Sequence, residues 1–328
     1  MAKKIIVTAS SFLDELLTHP PDEGRAKLAL EEAARRNSLK LEFRCDRNPL
    51  LPMTAEELED VTAVLADLEI YEPDVLRETG RKNEGHLGLI ARYGVGYNSV
   101  DAVAAREAGI WVTNTPRANS LPTAEWAVTT ILDIAGRRIP HHLRAGTGKL
   151  KTGPSRLDIS GKTLGVIGTG NIGRRVVELM RGFSLTVLAA DPYPNEEWAA
   201  ANEVEYVDLS TLCRKSDFIT IHASGGDRLI GRPELALMRP TTVLVNCARG
   251  ILADARAVYE AVQAGRLWGY GLDEVWEYDD LPLNELNIAA SPHVGSDTDL
   301  GKLQMQLMSA QAVIDFVDGK KPQFIVNK

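Results

Sequence analysis

Short apolar runs, rich in β-branched residues, recur along the chain and alternate with longer stretches whose apolar positions return on a helical period. The runs at 4–9, 39–44, 62–66, 87–91 and 111–113 read as one series of strands. Those at 163–167, 185–190, 218–222, 242–246 and 288–291 read as a second, with a further strand opening the segment 269–280. Between them, 25–37, 100–108, 172–183 and 255–265 carry the pattern of helices with charged faces. The strands are apolar at nearly every position rather than every second one. Such strands, alternating with helices, mark parallel sheets covered on both faces. The stretch 122–144 reads as one long helix with Pro122 in its first turn, placed to carry the chain from one domain to the other. The segment 297–318 is again helical, and the short run 323–326 is expected to pair with the first domain. Two strand series predict an α/β protein of two doubly wound parallel-sheet domains. One is discontinuous, 1–118 with 297–328; the other is continuous, 119–296. Small-molecule sites favour the cleft between two domains.

Composition narrows the partners. Lys and Arg number 37 against 45 Asp and Glu, a formal charge of −8. A net acidic chain without a basic block argues against nucleic acid or an anionic membrane as partner. An anionic ligand would need a local positive site set against that field. The three cysteines, Cys45, Cys213 and Cys247, are widely spaced and form neither a disulfide framework nor a metal cluster. A reducing, cytoplasmic setting and no bound metal are expected. The N-terminal MAKKIIVTASSFLDE reads as a first strand rather than a signal peptide, and no stretch is long and apolar enough to span a bilayer.

The sharpest local signal is TLGVIGTGNIG at 163–173, in which Gly168, Gly170 and Gly173 follow an apolar strand and open a helix. Gly168 would permit the tight turn, Gly170 would let a pyrophosphate approach the backbone, and Gly173 would let helix and strand pack closely. The helix start, at Asn171 and Ile172, would turn free N–H groups toward the anion. Alone, three glycines at this spacing are a weak signal. Asp191, at the end of the next predicted strand, strengthens it. An acid there accepts hydrogen bonds from the adenosine ribose and repels a 2′-phosphate, which points to NAD rather than NADP.

Three further positions fall at predicted strand ends. Arg249, after TVLVNCA, offers a planar two-pronged donor that suits a carboxylate. His293, in SPHVGS, has the side chain suited to reversible proton transfer near neutrality. Several carboxylates in GYGLDEVWEYDD could sit against His293 and raise its pKa. Singly, a strand-end Arg or His is more often a surface or structural residue; their order and company carry the argument. Cys247 shows no signal of an activated thiolate, so its backbone rather than its sulfur is assigned to the cofactor. His141 and His142, adjacent on a helix, read as a solvated helix end.

At this point the chain resembles the D-isomer-specific 2-hydroxyacid dehydrogenase family. The matching pieces are RYGVGYNSVD (92–101), TNTPRANSLPTAEWAV (113–128), GKTLGVIGTGNIG (161–173), ELALMRPTTVLVNCARG (234–250), GYGLDEV (269–275) and SPHVGS (291–296). The resemblance implies an NAD-binding Rossmann domain inserted into a flavodoxin-like substrate domain, and a homodimer formed through the linking-helix region. It implies that Arg249 holds the substrate carboxylate and carbonyl, that the backbone of Val95 and Gly96 also binds that carboxylate, and that Asp273 meets the nicotinamide carboxamide. His293 would be the acid–base, paired with a carboxylate. Tyr278 stands where the family carries that acid; Glu277 is the first candidate and Asp279 the second. The loop after His222 is shorter than in the family. Arg117 stands where relatives often have Gly and is either a solvated charge or a second contact to an anionic substrate. The reading that results is oxidoreduction of a small 2-hydroxy or 2-keto acid. An NAD(H)-sensing binding protein on the same scaffold is the alternative.

Overall fold

The computed structural model describes residues 3–13, 24–48, 50–146, 155–276, 280–283 and 286–328. The chain divides into two compact units, 1–119 with 298–328 and 120–297.

The first unit is built on five strands: β1 (Lys4–Val7), β2 (Lys40–Phe43), β3 (Val61–Ala66), β4 (Leu89–Arg92) and β5 (Trp111–Thr113). Their order is β2-β1-β3-β4-β5 with every pairing parallel, the flavodoxin-like arrangement. Alternate residues of one strand feed two cores. Ile6 joins Val64 and Ile90 on one face, under α2 (Pro73–Thr79) and α3 (Ala102–Glu107). Ile5 and Val7 join Leu65 and Leu89 on the other, under α1 (Gly24–Arg36) and the chain's last helix, α11 (Asp299–Val317). That double burial is why the strands read as continuous apolar runs. Asp101 caps α3 by accepting from the amides of Val103 and Ala104, and Thr298 caps α11 through Gly301.

The expected pairing of 323–326 is a single antiparallel bridge, Thr113 to Ile325, on the free edge of β5. Val326 donates its amide to the Val112 carbonyl at 2.9 Å. The Asn327 side chain then imitates a strand, accepting from the Val112 amide at 2.9 Å and donating to the Ile110 carbonyl at 2.8 Å.

The second unit holds seven strands: β6 (Thr163–Ile167), β7 (Thr186–Ala190), β8 (Val204–Tyr206), β9 (Phe218–Ile221), β10 (Val243–Asn246), β11 (Gly269–Leu272) and β12 (Ile288–Ala290). The order is β12-β11-β10-β9-β6-β7-β8, all parallel. From β8 through β11 this is the Rossmann order, with the reversal of winding between β6 and β9; β12 extends it. The sequence pattern missed β8, a three-residue edge strand with Glu205 at its centre. Its helices are α4 (Ser120–Ala135), α5 (Arg138–Ala145), α6 (Asn171–Leu179), α7 (Glu196–Asn202), α8 (Leu209–Lys215), α9 (Arg232–Leu237) and α10 (Ala255–Gln263).

The long helix expected over 122–144 is two helices, α4 and α5. The Gly136 amide closes the last turn of α4 on the Leu132 carbonyl, and Arg137 turns left-handed at φ 50°. Pro140 supplies the reason. In one continuous helix it would remove the hydrogen bond to the Gly136 carbonyl and clash with it. A helix restarting at Arg138 places Pro140 in a first turn, where no N–H is needed. Arg137 then lies over the Trp268 ring, 4.1 Å from its centroid. Among the described residues no helix is long and apolar enough to cross a membrane.

Candidate active site

The glycine turn is built by sterics. Gly168 has φ +92°, and a Cβ there would meet the Ala223 nitrogen at 2.6 Å. A Cβ on Gly173 would meet the Gly168 carbonyl oxygen at 2.1 Å, so α6 can approach β6 this closely only with glycine at that position. Gly170 is exposed, and a Cβ there would touch nothing within 4 Å, which leaves its face open to a ligand. α6 has no side-chain cap and no acid in its first turn. The amides at Asn171 and Ile172 therefore begin a helix whose positive end is unopposed.

Asp191 follows β7 beside that turn. Its carboxylate accepts from the Thr169 amide at 2.6 Å, the Thr169 hydroxyl at 2.9 Å and the Tyr193 amide at 2.8 Å. Burial pushes its pKa up, but these hydrogen bonds and the nearby Arg174 cation outweigh it and hold the group below the usual aspartate value. Arg174 donates to the Thr169 carbonyl at 2.7 Å, and the Thr169 and Tyr206 hydroxyls are 2.8 Å apart. An ionised acid, braced by the glycine turn itself, fits the ribose of NAD. Thr169 and Tyr206 were not singled out from sequence; only the position of Thr169 between two motif glycines hinted at it.

The second group of residues lies at the carboxyl ends of three adjacent strands, β10, β11 and β12. Asn246 ends β10 fully buried. Its side chain accepts from the Ala248 amide at 3.1 Å and donates to the Arg249 carbonyl at 2.8 Å, folding the loop that presents Arg249. The Arg249 guanidinium donates to the Ala248 carbonyl at 2.6 Å. Glu274, after β11, accepts from the Gly250 amide. Sequence reasoning missed both Asn246 and Glu274. An Asn two residues before a loop amide is an Asx-turn signal, whereas Glu274 carries none. Cys247 is buried, and burial raises its thiol pKa strongly, so its sulfur is not an activated thiolate.

Asp273 and His293 meet through the backbone. Asp273 is 7% exposed. One carboxylate oxygen accepts from the Ser291 hydroxyl at 2.7 Å and the Val294 amide at 2.9 Å; the other accepts from the Gly295 amide at 2.7 Å. Trp126 of α4 donates to the Ser291 hydroxyl oxygen at 3.1 Å. The loop so clamped holds His293 exposed, in the left-handed region at φ 58°. The resemblance gave Asp273 a contact with nicotinamide; in the structure both its oxygens are engaged by the histidine loop. Glu277 and Asp279, the candidate partners of His293, lie outside the described residues, as does Tyr278.

Val95 and Gly96 belong to the first unit, just past β4. Among the described residues their amides find no acceptor. The Val95 carbonyl is held by the Asn114 side chain at 2.8 Å, and Gly94 exchanges hydrogen bonds with Thr115 at 3.1 and 2.9 Å. Two orphan amides on a braced loop suit an anion.

A fingerprint at the switch point of a Rossmann sheet, with an arginine and a histidine past the ends of β10 and β12 on either side of β11, defines a dinucleotide-dependent oxidoreductase. Residues 128–295 match the family D-isomer specific 2-hydroxyacid dehydrogenase, NAD binding domain. The chain is 37% identical over 267 residues to the D-3-phosphoglycerate dehydrogenase of Methanocaldococcus jannaschii, covering 77% of this chain and 50% of that protein. It thus spans half the length of that relative. It is 34% identical over 281 residues to a protein of Staphylococcus aureus assigned as a 2-hydroxyacid dehydrogenase, covering 82% of this chain and 87% of that one. The fold matches the TT0316 protein of Thermus thermophilus with a TM-score of 0.80 and 28% identity, over 98% of this chain and 99% of that one. The chain belongs to the D-isomer-specific 2-hydroxyacid dehydrogenase family of NAD-dependent oxidoreductases.

Proposed function

We propose that the protein interconverts a D-2-hydroxy acid and the corresponding 2-keto acid, with Arg249 and His293 as the groups that meet the substrate. The observation that carries this reading is the adjacency of β10, β11 and β12. It sets the Arg249 loop and the His293 loop on either side of the Asp273–Glu274 segment, which hydrogen-bonds to both. The glycine turn, the start of α6 and Asp191 would hold NAD, whose nicotinamide would supply or accept the hydride.

The residues of the chain do the rest. Arg249 takes the substrate carboxylate and polarises the C2 carbonyl; in the first unit, the free amides of Val95 and Gly96 are proposed donors to a substrate carboxylate. In reduction His293 gives its proton to the carbonyl oxygen as the hydroxyl forms; in oxidation it takes that proton back. Glu277, with Asp279 behind it, is the proposed carboxylate partner of His293. In this reading the first unit, expected over 1–118 with 297–328 and found over 1–119 with 298–328, takes the substrate, and the second, expected over 119–296 and found over 120–297, takes NAD. The protein acts as a cytoplasmic homodimer in this reading. α5 exposes Ile139 and Leu143 one turn apart, at 43% and 56%, which supports assembly through that region and is checked by light scattering.

The deciding experiment is NADH consumption with a panel of 2-keto acids, for wild type and His293→Ala. NADH binding without turnover on any 2-keto acid would move the reading to the sensing alternative, and full activity in His293→Ala would remove the proposed acid–base.

A further inference from the structure

Arg117 sits in a turn made for glycine. Ala118 donates its amide to the Thr115 carbonyl at 3.3 Å, closing a four-residue turn with Pro116 at its second position and Arg117, φ +70°, at its third. Proline cannot take positive φ, so this is a type II turn, whose third residue is ordinarily Gly or Asn. A long side chain at that position is disfavoured by the contact between its Cβ and the backbone. An outlier of this kind is a reason to look for a function.

The surroundings point to one. The turn is stitched to the Gly94–Gly96 loop by the Thr115–Gly94 pair and by Asn114 on the Val95 carbonyl. The turn that carries Arg117 is therefore tied to the loop that carries the two unoccupied amides of Val95 and Gly96. Arg44, Arg47, Arg92 and Arg117 all end or follow strands of the five-stranded sheet. Arg44 pairs with Glu42, Arg47 pairs with Glu57, and Arg92 is buried and donates to the Ala66 carbonyl. Arg117 is exposed and, among the described residues, has no hydrogen-bond or ion-pair partner. In a chain of net charge −8, a free cation on a turn tied to a carboxylate-binding loop is a local inversion of the field.

We propose that Arg117 is a specificity residue that takes a second anionic group of the substrate, a carboxylate or phosphate beyond C2, so that the favoured substrates are dianionic 2-keto and 2-hydroxy acids. This rests on the oxidoreductase reading above. The planar fork of a guanidinium matches either group.

The test uses two pairs of probes that differ in the distal anionic group: 2-oxoglutarate against 2-oxopentanoate, and phosphohydroxypyruvate against hydroxypyruvate. Wild type should prefer the charged member of at least one pair by tenfold or more in kcat/KM, and the pair that responds tells carboxylate from phosphate. Arg117→Gly, which suits the turn and so will fold, should bring that ratio to near one through KM. Arg117→Lys should keep part of it. No preference in wild type, or a preference that survives in Arg117→Gly, overturns the proposal while leaving the oxidoreductase reading intact. If none of the four compounds is reduced while another 2-keto acid of the panel is, this proposal falls and the oxidoreductase reading stands; if no 2-keto acid at all is reduced, both fall.

Discussion

Replacing Asp273 by asparagine changes almost nothing in shape and one thing in chemistry. The carboxylate serves three donors: the Ser291 hydroxyl and Val294 amide on one oxygen, and the Gly295 amide on the other. Asparagine keeps one acceptor oxygen. If that oxygen stays with Ser291 and Val294, an NH2 group faces the Gly295 amide, donor against donor. One charge-assisted hydrogen bond is lost, about 1.5–3 kcal/mol, and a buried N–H is left without an acceptor. We expect Asp273→Asn to destabilise the NAD-binding unit by about 2 kcal/mol, and Asp273→Ala, which strands all three donors, by about 3–4 kcal/mol. For a unit of this size each kcal/mol moves the melting temperature by about 2–4 °C, so the asparagine variant should melt roughly 4–8 °C lower. His293 should lose turnover in parallel, because its left-handed conformation at φ 58° depends on the same clamp. Calorimetry without dinucleotide reads the first effect, and a fluorescence titration with NADH reads the cofactor's share. An unchanged melting temperature together with weakened NADH binding would refute the clamp and return Asp273 to a purely cofactor-binding role.

Other outcomes follow from the same geometry. Arg249→Ala should lose at least ~100-fold in kcat/KM, about 2.7 kcal/mol of transition-state stabilisation, and lysine should rescue poorly because a point charge cannot bind in two prongs; near wild-type kinetics would displace the assigned substrate site. Asp191→Ala should narrow the preference for NAD over NADP, since an ionised carboxylate repels the 2′-phosphate; equal use of both dinucleotides by wild type would contradict this. His222 accepts or donates at 2.8 Å to the Thr220 hydroxyl, and burial pushes its pKa from 6.5 down to about 3. The unfolded chain takes up a proton below pH 6.5 that the folded chain refuses until about pH 3, so stability should fall as pH drops through that window. His222→Asn should flatten the melting-temperature profile there, and parallel profiles for wild type and variant would count against the assignment.

Much of this was legible in the residues because burial on both faces of a parallel sheet leaves a strong trace: β1, β4, β6 and β10 are nearly uninterrupted apolar runs. β8 left no such trace, being three residues long at a sheet edge with Glu205 exposed. The break between α4 and α5 was written in Gly136 and Pro140, but the apolar periodicity on either side masked it. The glycine turn was readable because each glycine answers a local steric demand. The work of Asp273 was not, because its three donors lie 18 to 22 positions away in the loop after the next strand, and a pairing between strand ends leaves no mark on either segment alone. Asn246 and Glu274 were overlooked for a related reason: they hold the backbone around Arg249 and touch no feature that a functional pattern would highlight.

The first unit takes its parts from both ends of the chain, and this sets an order on its biosynthesis. When residues 1–119 leave the ribosome, the face of β3 and β4 that carries Leu65 and Leu89 lacks Ala310 and Val313 of α11. The free edge of β5 lacks Ile325 and Asn327 as well. The NAD-binding unit, contiguous in sequence, can close in the meantime. The sheet that carries Val95, Gly96 and Arg117 is therefore the last to be sealed. Until it is, it exposes an apolar face and an unpaired strand edge, the features that chaperones recognise and that aggregation exploits.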